Sequence, residues 1–544
     1  LKIKEGESGA LYATVDSLDQ NATDLKIDKI ELKTNALHFE MNALNAAYDG
    51  VLSADGNEIT GNWEQGETKL PLTFRRSGQK VTAAGTTRGK IEFKPCGDIK
   101  AGEDAQCGKF EVFEDRATKI GRKITLNIIL LPALSPKPAA DATFYLAGGP
   151  GGAATNAASA SFMPGLRKER DVVLVDQRGT GKSNPLHCNF QGERNDMRGY
   201  FSDPYPAEKV RACREELAKV ANLKLYTTAI AMDDLDEVRA GMGYDRINVY
   251  GGSYGSRTAL VYLRQHPDHV RAVAVFGVAP PDAKIPLSFA KGVQHAMDRL
   301  MADCAADKSC HEAYPKLKEE FESVLKLFDK GPVEVNAPNV YTGQFQEFTM
   351  TRDAFVDALR LALYSPQVSS ALPLLIHLAA NGDLGSLVGT IFQVLYQIEG
   401  QIARGMQLSV LCAEDVPFIK DEDIKRESEG SFYGDARIRP IIGACREWPR
   451  AEVPPAFFAH ITNNLPVLLV SGELDPVTPP WLSTEAAHQL PNSRQLVVHN
   501  ATHNSYECLE KIVATFIDKG TLQGLDVSCA EKIQRLPFNV QKAQ

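Results

Sequence analysis

Ile247-Asn248-Val249-Tyr250-Gly251-Gly252-Ser253-Tyr254-Gly255-Ser256 is the stretch that decides the fold. Residues 247–250 are a short apolar run of the kind a buried strand shows, and residues 256–265 are compatible with a helix. Between them stands G-x-S-x-G. A serine on such a strand–turn–helix elbow is held in strained backbone and projects above its sheet, where it can act as a nucleophile. The glycines are needed because side chains would collide in so tight a turn. Outside that context the pentapeptide says little, since glycine and serine also mark ordinary loops.

Working outward, residues 124–131 (ITLNIILL), 143–146, 172–175, 270–276 and 467–470 are further apolar runs rich in β-branched residues. They read as buried parallel strands. Helical segments at 207–220 and 232–242 lie between them, which predicts an α/β fold with a doubly wound, mostly parallel sheet. About 190 residues of mostly helical character separate 276 from 467, too many for a crossover, and predict an inserted domain. Residues 495–498 and a helix near 507–516 return to the sheet. The amino-terminal part differs. Short alternating runs at 10–15, 26–32, 37–41, 48–52, 58–63 and 70–74, with turn chemistry at Asp49-Gly50 and Asp55-Gly56-Asn57, predict an all-β meander, a small barrel or sandwich. The expected organisation is a β domain at 1–88, the sheet's first part at 89–282, a helical cap at 283–450 and the sheet's last part at 451–544.

A serine hydroxyl needs a base, and the base needs an orienting acid. On an elbow-bearing sheet the chain order is Ser, acid, His. After Ser253, the run 467–470 leads to Asp475, and the strand at 495–498 leads to His499 and His503. Asp475 and His503 each follow a strand's carboxyl end, where the functional loops of open α/β sheets gather. Glu473 and His499 are the alternatives, both closer to their strands and more suited to packing. The developing oxyanion needs two donors. Tyr254 N–H, next to the nucleophile, is one; Gly149 N–H, in the glycine run at 148–152 after an early strand, is the other. That run is no phosphate loop, because no Lys-Ser/Thr follows it in register.

The 544 residues, 43% hydrophobic and 24% charged, are ample for a large core and exclude a wholly disordered chain. A net charge of −9 without long like-charged blocks argues against nucleic acid as partner. No apolar run reaches membrane-spanning length; the most apolar region, 371–398, reads as buried helices. The chain starts at Leu1, and residues 1–8 are no secretory signal, so a processed or truncated start is expected. The 10 cysteines fall into neighbours, Cys96/Cys107, Cys188/Cys213, Cys304/Cys310, Cys412/Cys445 and Cys508/Cys529. Spacing alone leaves connectivity open; local pairing in an oxidising compartment is the expectation, and buried free thiols are the alternative. Nothing has zinc-ligand spacing, and no metal or cofactor is expected.

Taken together, GGPGG at 148–152, DQRGTGKS at 176–183, GGSYGS at 251–256, GELDPVTP at 472–479 and His503 resemble the proline iminopeptidase and tripeptidyl aminopeptidase branch of the α/β-hydrolases. Cys96, Cys107 and the Cys445-Arg446-Glu447-Trp448-Pro449 run are similar to the secreted tripeptidyl type. The resemblance spans residue 90 onward, leaving the β domain unassigned. It departs at Ala147, where a histidine commonly precedes the glycine run, and at Thr502 and Asn504, where glycines often flank the histidine. It implies a bacterial, secreted or periplasmic serine hydrolase that cleaves short units from a free amino terminus, with 283–450 as its lid. Such a lid must carry acids for the substrate's amine; Glu414 and Asp415, beside Cys412, are the candidates. Asp176 and Arg178 are expected to support the glycine loop. A carboxylesterase with the same triad is the close rival, and a non-catalytic binding protein the remote one. Oligomeric state is not written in the sequence.

Overall fold

A computed structural model describes residues 1–5, 11–17, 22–54, 56, 58–65, 68–75, 86–97, 102, 104–158, 164–503 and 508–540. Ala10, Asp55, Asn57, Asn504 and Glu507, named above, lie outside the described residues. The chain forms two compact units, Leu1–Ala84 and Gly85–Gln544.

The first unit has a 3-stranded and a 5-stranded sheet, each an antiparallel meander. Alternation places Leu37, Phe39 and Met41 inside, and Phe39 stacks on Tyr48 at 5.2 Å. The expected turn at Asp49-Gly50 is instead the middle of the strand Ala46–Leu52. Asp49 lies opposite His38 on the neighbouring strand, and the two side chains meet at 2.7 Å, so cross-strand pairing overrides the local turn signal.

The second unit is built on a 10-stranded sheet. Ser493–Val498, Val467–Gly472, Val270–Phe276, Ile247–Gly252, Ala142–Leu146 and Asp171–Val175 run parallel, in that order across the sheet. Lys123–Leu131, expected as parallel, pairs antiparallel with Asp171–Val175, and an antiparallel flank continues through Gln106–Phe113, Ile91–Pro95 and Thr86–Arg88. An apolar run reports burial; only the connection sets direction. Thr86–Arg88, assigned above to the β domain, thus hydrogen-bonds in this sheet.

The chain leaves Ala142–Leu146 for Asp171–Val175 on one side and returns as Ile247–Gly252 on the other. The carboxyl ends of these strands therefore flank a topological switch point, where open α/β sheets hold their ligands. Helices Thr228–Met242 and Tyr254–Gln265 cover one face, and Leu509–Lys519 packs in the apolar cluster on the other. Between Phe276 and Val467 rises a mainly helical insertion, from Ile285–Ala306 to Ile438–Glu447, with one hairpin of Val333–Asn339 and Gln344–Met350. Five disulfides join the five neighbouring pairs, Cys96–Cys107, Cys188–Cys213, Cys304–Cys310, Cys412–Cys445 and Cys508–Cys529. Among the described residues no helix is long and apolar enough to cross a membrane.

Candidate active site

Ser253 follows the strand Ile247–Gly252 and caps the helix Tyr254–Gln265 with φ 56° and ψ −126°. Such a conformation costs a non-glycine residue on the order of 1–3 kcal/mol and must be imposed by its surroundings. Here Ser253 N–H donates to Phe276 O (3.0 Å), and Ser256 Oγ donates to Ser253 O (2.6 Å). Gly255 lets the helix start against the neighbouring strand: a Cβ there would lie 2.1 Å from Leu146 O. The result aims Ser253 at the switch point, with the first turn of a helix behind it, an end that favours negative charge.

The glycine run lies against this serine, since a Cβ on Gly148 would be 3.2 Å from Ser253 Cβ. Gly152 N–H closes the loop on Gly148 O (3.2 Å). The cap clamps it from above, through Ala403 N–H to Gly151 O (2.9 Å) and a bridge between Gly152 and Ile402. Asp176 bonds the segment after the run and a neighbouring strand, accepting from Thr155 N–H (2.9 Å), Thr155 Oγ1 (2.8 Å) and Asn127 Nδ2 (3.0 Å). Arg178 is buried and bonded to Asp234 and to the carbonyls of Glu114 and Leu225.

Asp475 and His503 meet in the loops after Val467–Gly472 and Ser493–Val498, Oδ2 to Nδ1 at 2.7 Å. Both are buried. The other carboxylate oxygen accepts from Val477 N–H and Thr478 N–H, each at 2.9 Å. Burial works against the Asp475 charge, but His503 and these donors together hold its carboxyl below the ordinary value. Thr478 is a member that sequence reading missed. Its hydroxyl donates to Asp475 Oδ2 (2.7 Å) and lies 3.1 Å from His503 Nδ1. The signal was present, because a threonine three residues after an aspartate is placed to cap it. Thr502 ties the histidine loop to the cap by donating to Tyr364 O (2.6 Å), and the Tyr364 ring packs edge-on against His503 at 4.8 Å. The alternatives Glu473 and His499 pair with each other at 2.8 Å, apart from this constellation.

Two cavities open on Ser253. The smaller, about 430 Å³, is mostly apolar, with Ile285, Phe289, Leu411 and Val477 in its wall and Gly149 and Tyr254 beside the serine. The larger, about 1200 Å³, contains Ser253 and His503 in one wall and cap residues opposite.

The expected amine-binding acids, Glu414 and Asp415, both have partners within the protein. Asp415 reaches the smaller cavity, but Arg257 donates to both its oxygens (2.8 and 3.0 Å) and Ile285 N–H to one of them (3.1 Å). A carboxylate so paired has little charge left for an incoming ammonium. Glu414 is buried against Thr228, whose N–H and hydroxyl each donate at 2.7 Å. Burial pushes its carboxyl up to about 7, against the opposing influence of Arg257 and Thr228. Both partners are far away in the chain, so the local motif gave no sign of them.

A model of the alpha/beta hydrolase fold matches residues 145–507. The serine protease Hip1 of Mycobacterium tuberculosis is 27% identical over 492 residues, covering 81% of this chain and 91% of the relative. The tripeptidyl aminopeptidase of Streptomyces coelicolor is 24% identical over 490 residues, covering 83% and 88% respectively. A proline iminopeptidase of Arabidopsis thaliana is 30% identical over 203 residues, covering 37% of this chain and 40% of the relative. With the serine elbow at the sheet's switch point, and a family match across more than half its length, this chain belongs to the α/β-hydrolase fold family.

Proposed function

We propose that the chain is a serine peptidase that cleaves short peptides through an acyl-enzyme. The observation that carries this reading is the strained Ser253 elbow sharing one cavity wall with His503, whose Nδ1 is held by Asp475. With Nδ1 engaged, Nε2 is the nitrogen left to take the Ser253 proton as Oγ attacks the scissile carbonyl. The resulting oxyanion is assigned to the N–H groups of Gly149 and Tyr254, both beside Ser253. His503 then gives its proton to the leaving amine, and water repeats the cycle in reverse to free the acid. Asp475 orients the imidazole and balances its charge while it holds the extra proton.

The names of the two long relatives, a serine protease and a tripeptidyl aminopeptidase, support a peptide over an ester as substrate. The second name also supports exopeptidase action near a free amino terminus. The five disulfides support a site of action outside the reducing cytosol, secreted or periplasmic in a bacterium. The test is a fluorophosphonate probe together with a peptidyl-anilide assayed with its amino terminus free and acetylated. Labelling and hydrolysis by the wild type, both lost in Ser253→Ala, are expected; equal labelling of both proteins overturns the assignment. A faster reaction with a butyrate ester, indifferent to acetylation of the peptide, would make the protein an esterase instead.

A further inference from the structure

The larger cavity is lined by three guanidiniums, Arg360, Arg404 and Arg437, and two carboxylates, Asp357 and Glu399. Both carboxylates are already engaged. Glu399 is paired with Arg404, whose Nε donates at 2.8 Å and whose Nη2 makes a second contact. Asp357 accepts from Arg360 Nε (2.9 Å), Tyr433 OH (2.7 Å) and Arg437 Nη1 (3.3 Å). Burial opposes its charge, yet Arg360, Arg437 and Tyr433 hold its carboxyl well below the usual carboxylate range, so it counts as an anion. One carboxylate therefore serves two guanidiniums, and among the described residues no other acid forms an ion pair with Arg360 or Arg437.

The surplus positive charge is also close to the chemistry. The Arg360 guanidinium lies over the rings of Phe289 (5.1 Å) and Tyr364 (5.6 Å), and Tyr364 in turn packs on His503. Arg360 is thus one aromatic ring away from the imidazole. An unbalanced cation in a partly enclosed wall attracts anions strongly, because little water screens it. An ammonium entering there would meet repulsion.

We propose that this cavity selects peptides that present a carboxylate, with Arg360 and Arg437 as the residues that read it. The proposal rests on the peptidase reading above and adds the substrate class. A carboxylate can come from an Asp or Glu side chain or from the carboxyl terminus of a short peptide, and the experiment separates the two. In one arm, peptidyl-anilides carry Glu or Gln at each position in turn; in the other, short peptides end in a free acid or an amide. The quantity compared is the acid-to-amide ratio of kcat/KM within each protein, which is insensitive to the fraction of active enzyme. In the wild type at least one pair is expected to favour the acid by about tenfold or more, with the preference shrinking as salt rises. The same ratio is expected to fall toward one in Arg437→Gln. It should rise in Asp357→Asn, which leaves both guanidiniums unpaired and covers the case of an unfolded arginine variant. Ratios at or below one in both wild-type arms overturn the proposal. So does a wild-type preference that neither variant changes. Failure of the peptidase reading would look different: the wild type would hydrolyse none of these peptides in either arm while turning over a butyrate ester.

Discussion

Glu414→Gln tests the electrostatics of the buried cap helix Arg404–Glu414. Glu414 is 2% exposed, and burial raises the pKa of its carboxyl from 4.5 to about 7. Unfolding returns it to water and to its ordinary value. Between these limits the folded chain keeps a proton that the unfolded chain has released, so stability falls as pH rises. The contribution is full below about pH 4.5 and is lost as pH climbs through about 7. At about 1.4 kcal/mol per pH unit, the interval amounts to ~3 kcal/mol. Glutamine retains the shape and can still meet Thr228, but it cannot ionise. Urea unfolding of both proteins at about pH 5 and about pH 8 should therefore show the variant gaining roughly 2–3 kcal/mol relative to the wild type at the higher pH. A difference that is equal at the two pH values, or that moves the other way, refutes the reasoning. In the same samples KM for a free-amine peptide should change by less than about twofold. A tenfold rise would instead return Glu414 to the role of amine ligand.

Thr478→Val removes the hydroxyl that donates to Asp475 at 2.7 Å. A bond to a charged group is worth ~1.5–3 kcal/mol, so kcat on a peptidyl-anilide should drop roughly 10- to 100-fold with KM little changed; an unaltered kcat would reduce the threonine to packing. Replacing Cys412 and Cys445 together by serine opens a loop with a sequence separation of 33 and should cost about 2–4 kcal/mol in urea unfolding, with no loss if the bridge merely decorates the cap.

The places of Ser253, Asp475 and His503 were legible because each follows a strand within a few residues, and the strands announce themselves by composition. The disulfides were legible because every pair is local. What sequence concealed is whatever depends on partners brought from afar. Asp415 looked like a free acid because Arg257 stands 158 residues away, and Glu414 because Thr228 stands 186 away. Asp357, Arg360, Glu399 and Arg437 sit on cap helices or beside them without any motif, and only the folding of the insertion gathers them around one cavity. The direction of Lys123–Leu131 was hidden for a related reason, since side-chain burial carries no sense of polarity.

The clamp between the cap and the glycine run is made by main chain alone, from Ala403 N–H to Gly151 O and across the Gly152–Ile402 bridge. Apart from proline, no replacement of a side chain on the cap deletes such a bond. The cap can therefore drift in sequence, exchanging the residues that line its cavities, while the loop beside Ser253 stays in register. Inheritance of the reaction and divergence of its substrates are then separable by mutation within one continuous chain.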